Sequence, residues 1–250
     1  MSWAGSDEAL VYLGLNAVGV ADSRVASAAD VRWLPTGSPL EGWRKAIDQL
    51  KPIRRTWRRR RVAVRLSGAL ARPFILAPVQ GLRRWHEAVQ VAATLAMEAT
   101  GLAGPCEVWL DGWSVDRPCL AVAIERELRD AIELTAETAA LRLTALEPWW
   151  GAALRDAGDR LEAVRLLTVE DTDSLTLLTG SADPGFASAA GYIPRPDAAR
   201  KEALLTRALF AADLTVDHGL RAVLPHVDLP KGEGTSKPTV ALEACLEPLS

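Results

Sequence analysis

Two neighbouring stretches decide the fold: Cys119-Leu-Ala-Val-Ala-Ile124 and Leu141-Arg-Leu-Thr-Ala-Leu-Glu-Pro-Trp149. The first is an apolar run of strand length that enters a helical pattern directly at Glu125. That helix, expected over 125–140, is acidic at its start and places Leu128, Ala131, Ile132 and Thr135 on one face. The second stretch is a strand broken by Glu147-Pro148. Pro148 suits the first turn of a helix running from Trp149 to about Ala157. Strand, helix, strand and helix thus follow each other with almost no linking sequence.

Working upstream, Cys106-Glu-Val-Trp-Leu110 reads as a strand joined to Cys119 by a polar turn. A long helical pattern runs from Gly81 to Thr100, with Trp85, Val89, Ala92, Ala93 and Ala96 recurring at three and four, closed by Gly101 and Gly104. Ala71-Arg-Pro-Phe-Ile-Leu-Ala77 is a strand candidate whose Pro73 requires an edge position or a strand start. Val62–Leu66 alternates as a strand. Leu40, Trp43, Ala46, Ile47 and Leu50 mark one face of a helix that Pro52 ends. Ala9–Leu15, Val18–Val20 and Val31–Leu34 read as three further strands. Downstream, Ala163–Val169, Ser174–Thr179 and Gly185–Ile193 repeat a three-strand set. A helix over 196–212, a strand over Leu214–Asp217 and a glycine- and proline-rich tail complete the chain. The three-strand-plus-helix grammar occurs twice, which implies a duplicated α/β architecture.

The 250 residues admit one large domain or two compact ones. Hydrophobic residues make up 49% and charged residues 24%, which excludes a mainly disordered chain. A net charge of −3 excludes a general polyanion binder. Three scattered cysteines argue against a disulfide framework and for a reducing compartment. There is neither a basic n-region before the first apolar run nor an apolar run near the ~20 residues of a membrane span. A soluble, cytoplasmic protein is the expectation.

The succession resembles the actin-like superfamily, and more closely the type IV pilus assembly protein PilM and the cytoplasmic domain of the type II secretion L protein, GspL. The residues that carry the resemblance run from Ala71 to Arg155: the strand Arg72–Pro78, the helix 81–100, Glu107–Asp111, Leu120–Glu125 passing straight into a helix, and Leu143–Trp149 ending in Glu-Pro. The resemblance implies an α/β, actin-like (RNase H-like) duplicated fold, truncated, with an inserted 1C-type βαββ subdomain. Its parts would be 1–67, the first half of subdomain 1A; 68–124, the 1C-like insert; 125–160, the return to 1A; 161–224, the second, 2A-like half; and 225–250, a flexible tail.

An active actin-like ATPase carries an Asp-x-Gly type sequence in each of two phosphate hairpins, the carboxylate orienting metal-bound water and the glycine admitting phosphate to backbone amides. The first hairpin here, Tyr12-Leu-Gly-Leu-Asn-Ala-Val-Gly19, has Gly14 where the acid would stand and Asn16 where glycine would stand. The second, Leu167-Thr-Val-Glu-Asp-Thr-Asp-Ser174, has acids without glycine and without a lysine among them. Asp171 and Asp173 offer oxygens of the kind Mg²⁺ takes, but polar residues after a strand are more often a turn, and the turn is the reading adopted. Gly232-Glu-Gly-Thr-Ser-Lys237 lacks the Gly-Lys-Ser order of a phosphate loop and reads as tail. No catalytic residue, cofactor or metal is expected. His86 beside Glu87 and His218 beside Asp217 make no dyad, and Cys106 and Cys119 read as small buried hydrophobes.

From Lys51 to His86 stand eleven Lys and Arg residues and no acid; the remainder carries 18 basic and 32 acidic residues. Six arginines lie within Arg54–Arg61. Three readings remain open: a solvated loop, a contact with anionic lipid, or a nucleic-acid contact with Trp57 stacking on a base. The last is disfavoured, because one short patch stands outside any nucleic-acid-binding motif. Most of the nine tryptophans should be core, the others interface anchors. The resemblance implies a non-catalytic cytoplasmic scaffold, peripheral at the inner membrane. It would bind the cytoplasmic segment of a single-span, PilN-like platform protein in a groove near Arg72–Pro78, with an assembly ATPase, an anionic membrane surface and a second copy as further partners. The residues assigned to partner or membrane contact are Arg54, Arg55, Trp57, Arg58, Arg59, Arg60, Arg61, Arg72, Phe74 and Trp85. A divergent actin-like ATPase and an arginine-rich nucleic-acid-binding protein are the alternatives.

Overall fold

The computed structural model describes residues 8–22, 31–50, 60–157, 166–180, 189–194, 201–203, 205–207, 219–223 and 245–248. Thirteen strands and four helices are defined among them. The first sheet comprises β1 (Glu8–Leu13), β2 (Ala17–Ala21), β3 (Arg32–Pro35), β4 (Arg60–Leu66) and β8 (Leu141–Pro148), in the order β3-β2-β1-β4-β8. β1 to β3 form an antiparallel meander, and β4 and β8 join parallel to β1 and β4. The second sheet has β9 (Leu166–Glu170), β10 (Ser174–Thr179), β11 (Ala189–Pro194), β12 (Gly219–Val223) and β13 (Cys245–Pro248), in the order β11-β10-β9-β12-β13. Its first four strands repeat the order and sense of the first sheet. Here β13 runs antiparallel to β12, whereas β8 is parallel to β4. The duplication foreseen from the repeated grammar is therefore present, and the two copies part at their fifth strand.

Between β4 and β8 stands the insert: β5 (Ala71–Leu76), α2 (Trp85–Thr100), β6 (Cys106–Asp111) and β7 (Cys119–Glu125). Its strands form an antiparallel sheet in the order β5-β7-β6. β5 is an edge strand, the place that Pro73, lacking an N–H, demands. On α2 the buried positions are Ala88, Ala92 and Ala96. These small side chains let the helix lie close on Phe74, Leu76, Val108, Leu110, Ala121 and Ala123, which form a separate small core with buried Cys106 and Cys119. Burial raises both thiols, Cys119 to about 11, so they remain inert SH groups.

The main core lies over the first sheet and reaches Leu167, Val169 and Leu178 of the second. α1 (Pro39–Gln49) buries Trp43 and Ala46 against it. This helix starts where Ser38 accepts a hydrogen bond from the Glu41 amide at 3.3 Å while Glu41 reaches back to the Gly37 amide at 2.8 Å. α3 (Arg126–Thr138) leaves β7 without a loop and buries Leu128, Ile132 and Ala136, the spacing of one helix face. In β8, Thr144 is the extra residue of a bulge between Leu143 and Ala145; its hydroxyl donates to the Val62 carbonyl at 3.0 Å and pairs with Glu8. α4 (Trp149–Ala157) follows Pro148 as expected, with Trp149 and Trp150 almost wholly buried.

Several expectations shift. The long helix begins at Trp85 rather than Gly81, because Glu87 reaches back to accept from the Arg83 and Arg84 amides and sets the first turn there. Trp85, expected on the apolar face, is 49% exposed. The strand read at 214–217, the fragment 232–237 and the pairs around His218 lie outside the described residues. Within the stretch read as a tail, residues 245–248 form β13 on the edge of the second sheet.

Candidate functional site

The turns that end β1 and β9 meet. At the first, Gly14 donates its amide to the Ala17 carbonyl at 2.9 Å and leaves the Leu15 N–H pointing outward. At the second, Asp171 builds its own turn: its Oδ1 accepts from the amides of Asp173 (2.9 Å) and Ser174 (2.8 Å) and from the Ser174 hydroxyl (2.9 Å). A third turn follows β4. The Ser67 amide donates to the Leu13 carbonyl at 2.9 Å, which brings Gly68 alongside the end of β1.

Several hydrogen bonds cross the seam. Asp173 Oδ2 accepts from the Leu15 amide at 2.6 Å. Asp171 Oδ2 accepts from the Gly68 amide at 2.7 Å. The hydroxyls of Tyr12 and Thr172 lie 2.8 Å apart. The two glycines allow this approach. A Cβ on Gly14 would stand 2.5 Å from Asp173 Oδ2 and 2.9 Å from Thr172 Oγ1. One on Gly68 would stand 2.5 Å from Thr176 Oγ1 and 2.6 Å from Ser174 Oγ. The space that an acidic side chain at position 14 would fill is thus taken by the acid of the opposite hairpin.

Burial is the largest influence on Asp171 and pushes its carboxyl up to about 6; the donors from Gly68, Asp173 and Ser174 pull it down, and the Asp173 charge pushes it up again. Tyr12 is held well above the usual phenol range by burial and then by Asp171 and Asp173, so its hydroxyl stays neutral. The Arg72 guanidinium lies 4.5 Å from the centroid of the Tyr192 ring, a cation–π contact, and also donates to the Ala69 and Thr100 carbonyls at 3.1 and 2.8 Å. Glu170 pairs with Lys201, a compensating lysine that inspection of the hairpin alone missed because it lies 31 residues away. Among the described residues no three His, Cys, Asp or Glu side chains gather as a metal site. Both oxygens of Asp171 already accept from the protein, so the turn reading describes its geometry.

The residues assigned to partner contact scatter. Arg54, Arg55, Trp57, Arg58 and Arg59 lie outside the described residues. The Arg60 side chain is only 10% exposed and is held by Asp22 at 2.6 Å. Arg61 is 57% exposed and stands 3.5 Å from Glu8. Phe74 is buried in the small core. Arg72 is committed to Tyr192 and two carbonyls. Trp85 remains on the surface, its ring edge-on to Trp113 at 6.4 Å, with Val115 also exposed on the β6–β7 turn. No helix of the described residues is long and apolar enough to cross a membrane.

No protein-family model matches the chain, and no curated protein matches it either. Solved structures do. The cytoplasmic domain of EpsL, an inner-membrane component of the type II secretion system of Vibrio cholerae, is 11% identical, covers 79% of this chain and 74% of its own, and gives a TM-score of 0.43. A PilM–PilN type IV pilus biogenesis complex is 18% identical over 84% of this chain and 69% of its own, with a TM-score of 0.49. A Bacteroides thetaiotaomicron protein with an actin-like ATPase fold and unknown function is 6% identical, covers 90% of this chain and 84% of its own, and gives a TM-score of 0.55. With the repeated strand order and the insert between β4 and β8, the last of these likenesses establishes that the chain has the actin-like α/β fold.

Proposed function

We propose that this chain is a non-catalytic scaffold of a type IV pilus or type II secretion platform, holding the cytoplasmic segment of a single-span membrane protein. The observation that carries the non-catalytic part is the seam. In an actin-like fold the phosphates lie between two strand hairpins, and here those hairpins bond to each other. The Leu15 and Gly68 amides, the donors an oxyanion would use, are taken by Asp173 and Asp171. A triphosphate would have to displace two carboxylates and then lie beside them, which costs several kcal/mol at short range in a poorly solvated site. The partner class rests on the resemblance of residues 71–155 to PilM and the type II secretion L protein. The contact surface then narrows to the insert's aromatic pair, exposed Trp85 and half-buried Trp113, since Phe74 and Arg72 are engaged within the fold.

The test is direct. The purified protein is mixed with the N-terminal cytoplasmic peptide of a candidate PilN-like single-span membrane protein, and separately with Mg-ATP. Capture of the peptide together with an unchanged melting temperature at about 1 mM Mg-ATP supports the scaffold. Stabilisation by Mg-ATP that grows with concentration as a ligand-binding equilibrium requires would favour a divergent ATPase instead.

A further inference from the structure

The seam is built as a lock. Asp171 is not a loosely placed side chain: its Oδ1 is held by two backbone amides of its own turn, and the Ser174 hydroxyl lies 2.9 Å from both carboxylate oxygens. That scaffolding aims Oδ2 at the Gly68 amide. Two residues on, Asp173 meets the Leu15 amide at 2.6 Å. Both partners sit at the ends of neighbouring parallel strands, β1 and β4. Both carboxylates are buried, Asp173 at 9% and Asp171 at 5% exposure. The hydroxyls of Ser67 and Thr176 at the same seam are buried without a hydrogen-bond partner. The seam is thus a polar contact held by directed bonds beside the apolar core that the two sheets share.

We infer that Asp173 and Asp171 form a two-point carboxylate latch, an anion supplied by the chain itself, which clasps the second hairpin to the first and keeps the Leu15 and Gly68 amides closed to external oxyanions. The inference rests on the reading that the wild-type seam takes no nucleotide, and it adds the reason: the site is occupied from within, and its donors remain competent. Removing the Asp173 carboxylate frees the Leu15 N–H and vacates the anion's place beside it, whereas Gly68 stays covered by Asp171.

Amide hydrogen exchange at Leu15 and Gly68, read in wild type, D173N and D173A, tests this with inorganic phosphate as the probe. In D173A exchange at Leu15 should rise by ~100-fold or more, with Gly68 much less affected, because a local bond is lost and the fold is retained; in D173N, whose amide oxygen still accepts but carries no charge, the rise should be about tenfold. In D173A, phosphate should slow Leu15 exchange again and raise the melting temperature, while chloride at equal ionic strength and phosphate with wild type should do neither. T172V, which removes a seam bond without removing charge, should gain no response to phosphate. Should D173A not fold, the near-isosteric D173N carries the exchange measurement. Unchanged Leu15 exchange in D173A, or in D173N where D173A does not fold, or equal phosphate protection of wild type and D173A, overturns the latch. Mg-ATP binding by the wild type would instead overturn the scaffold reading, so the two failures are distinct.

Discussion

The phenol oxygen of Tyr12 lies 2.8 Å from the hydroxyl of Thr172, joining two hairpins 160 residues apart in the chain. Tyr12 is fully buried, and its ring meets Trp33 at 5.5 Å in a tilted contact. The surrounding carboxylates and burial keep it protonated. Loss of the Thr172 hydroxyl therefore removes one hydrogen-bond partner of a buried neutral phenol and leaves it the Thr172 backbone. T172V should cost about 1–3 kcal/mol, and Y12F about 1 kcal/mol because half-buried Thr172 can turn to water. Urea unfolding of the two variants measures the difference; equal, negligible costs would remove this bond from the account of the seam.

Glycine is required at the seam by contact rather than by backbone angle. G14A would drive a methyl group into Asp173 and Thr172, and G68A would drive one into Thr176 and Ser174. Each should destabilise by about 1–3 kcal/mol, as overpacking does, and G14A should also weaken the Leu15–Asp173 bond. Gly191 in β11 is the control, with no atom within 4 Å of a Cβ built there. G191A should be neutral or stabilise by about 0.5 kcal/mol through the unfolded chain. Melting temperatures of the three variants decide; tolerance of G14A would show that the hairpins can part without cost.

The acid limb of the stability curve should carry a mark of Asp171. Its folded carboxyl titrates at about 6, against 3.8 for an ordinary aspartate. Between those values the folded state holds a proton that the unfolded state has lost, so stability from this group falls as pH rises through the window. The span amounts to about 3 kcal/mol at 1.36 kcal/mol per unit. D171N, neutral throughout, lacks this slope. From about pH 4 to 7, wild type should therefore lose 2–3 kcal/mol relative to D171N in urea midpoints. A gap that runs the other way would mean that the donors from Gly68, Asp173 and Ser174 outweigh burial.

Local chemistry made much of the framework legible in the sequence. Pro73 marked an edge strand, Glu125 a helix start without a loop, Pro148 a strand-to-helix joint, and Gly101 a helix end in the left-handed region at φ 68°. The repeated three-strand pattern announced the duplication. Legibility ended where distance in the chain grew. The absence of an acid at Gly14 was visible, but its cause, the arrival of Asp173 from 158 residues away, is a tertiary fact. Trp85 misled for a related reason. Its spacing matches the buried stripe, yet Ala88, Ala92 and Ala96 suffice to seat α2, and Trp85 at the helix start is left on the surface. Arg60 looked like part of a free basic run until Asp22 was found against it.

Two tryptophans should behave in opposite ways. Trp150 is buried and donates its indole N–H to the Ala71 carbonyl at 2.8 Å, tying α4 to the first residue of the inserted sheet. W150F removes volume and that bond together, and should cost about 2–4 kcal/mol, or several degrees in melting temperature for a chain of this size. Trp85 is half exposed, so W85A should stay within about 0.5 kcal/mol of wild type. If the insert's aromatic pair holds the membrane partner's peptide, W85A and a matching change at Trp113 should weaken capture at least tenfold, since a truncated aromatic anchor costs about 2 kcal/mol of binding. Calorimetric titration with the peptide, alongside thermal melts, separates the two roles. Full peptide affinity in a stable W85A protein would move the partner site away from the N-terminus of α2.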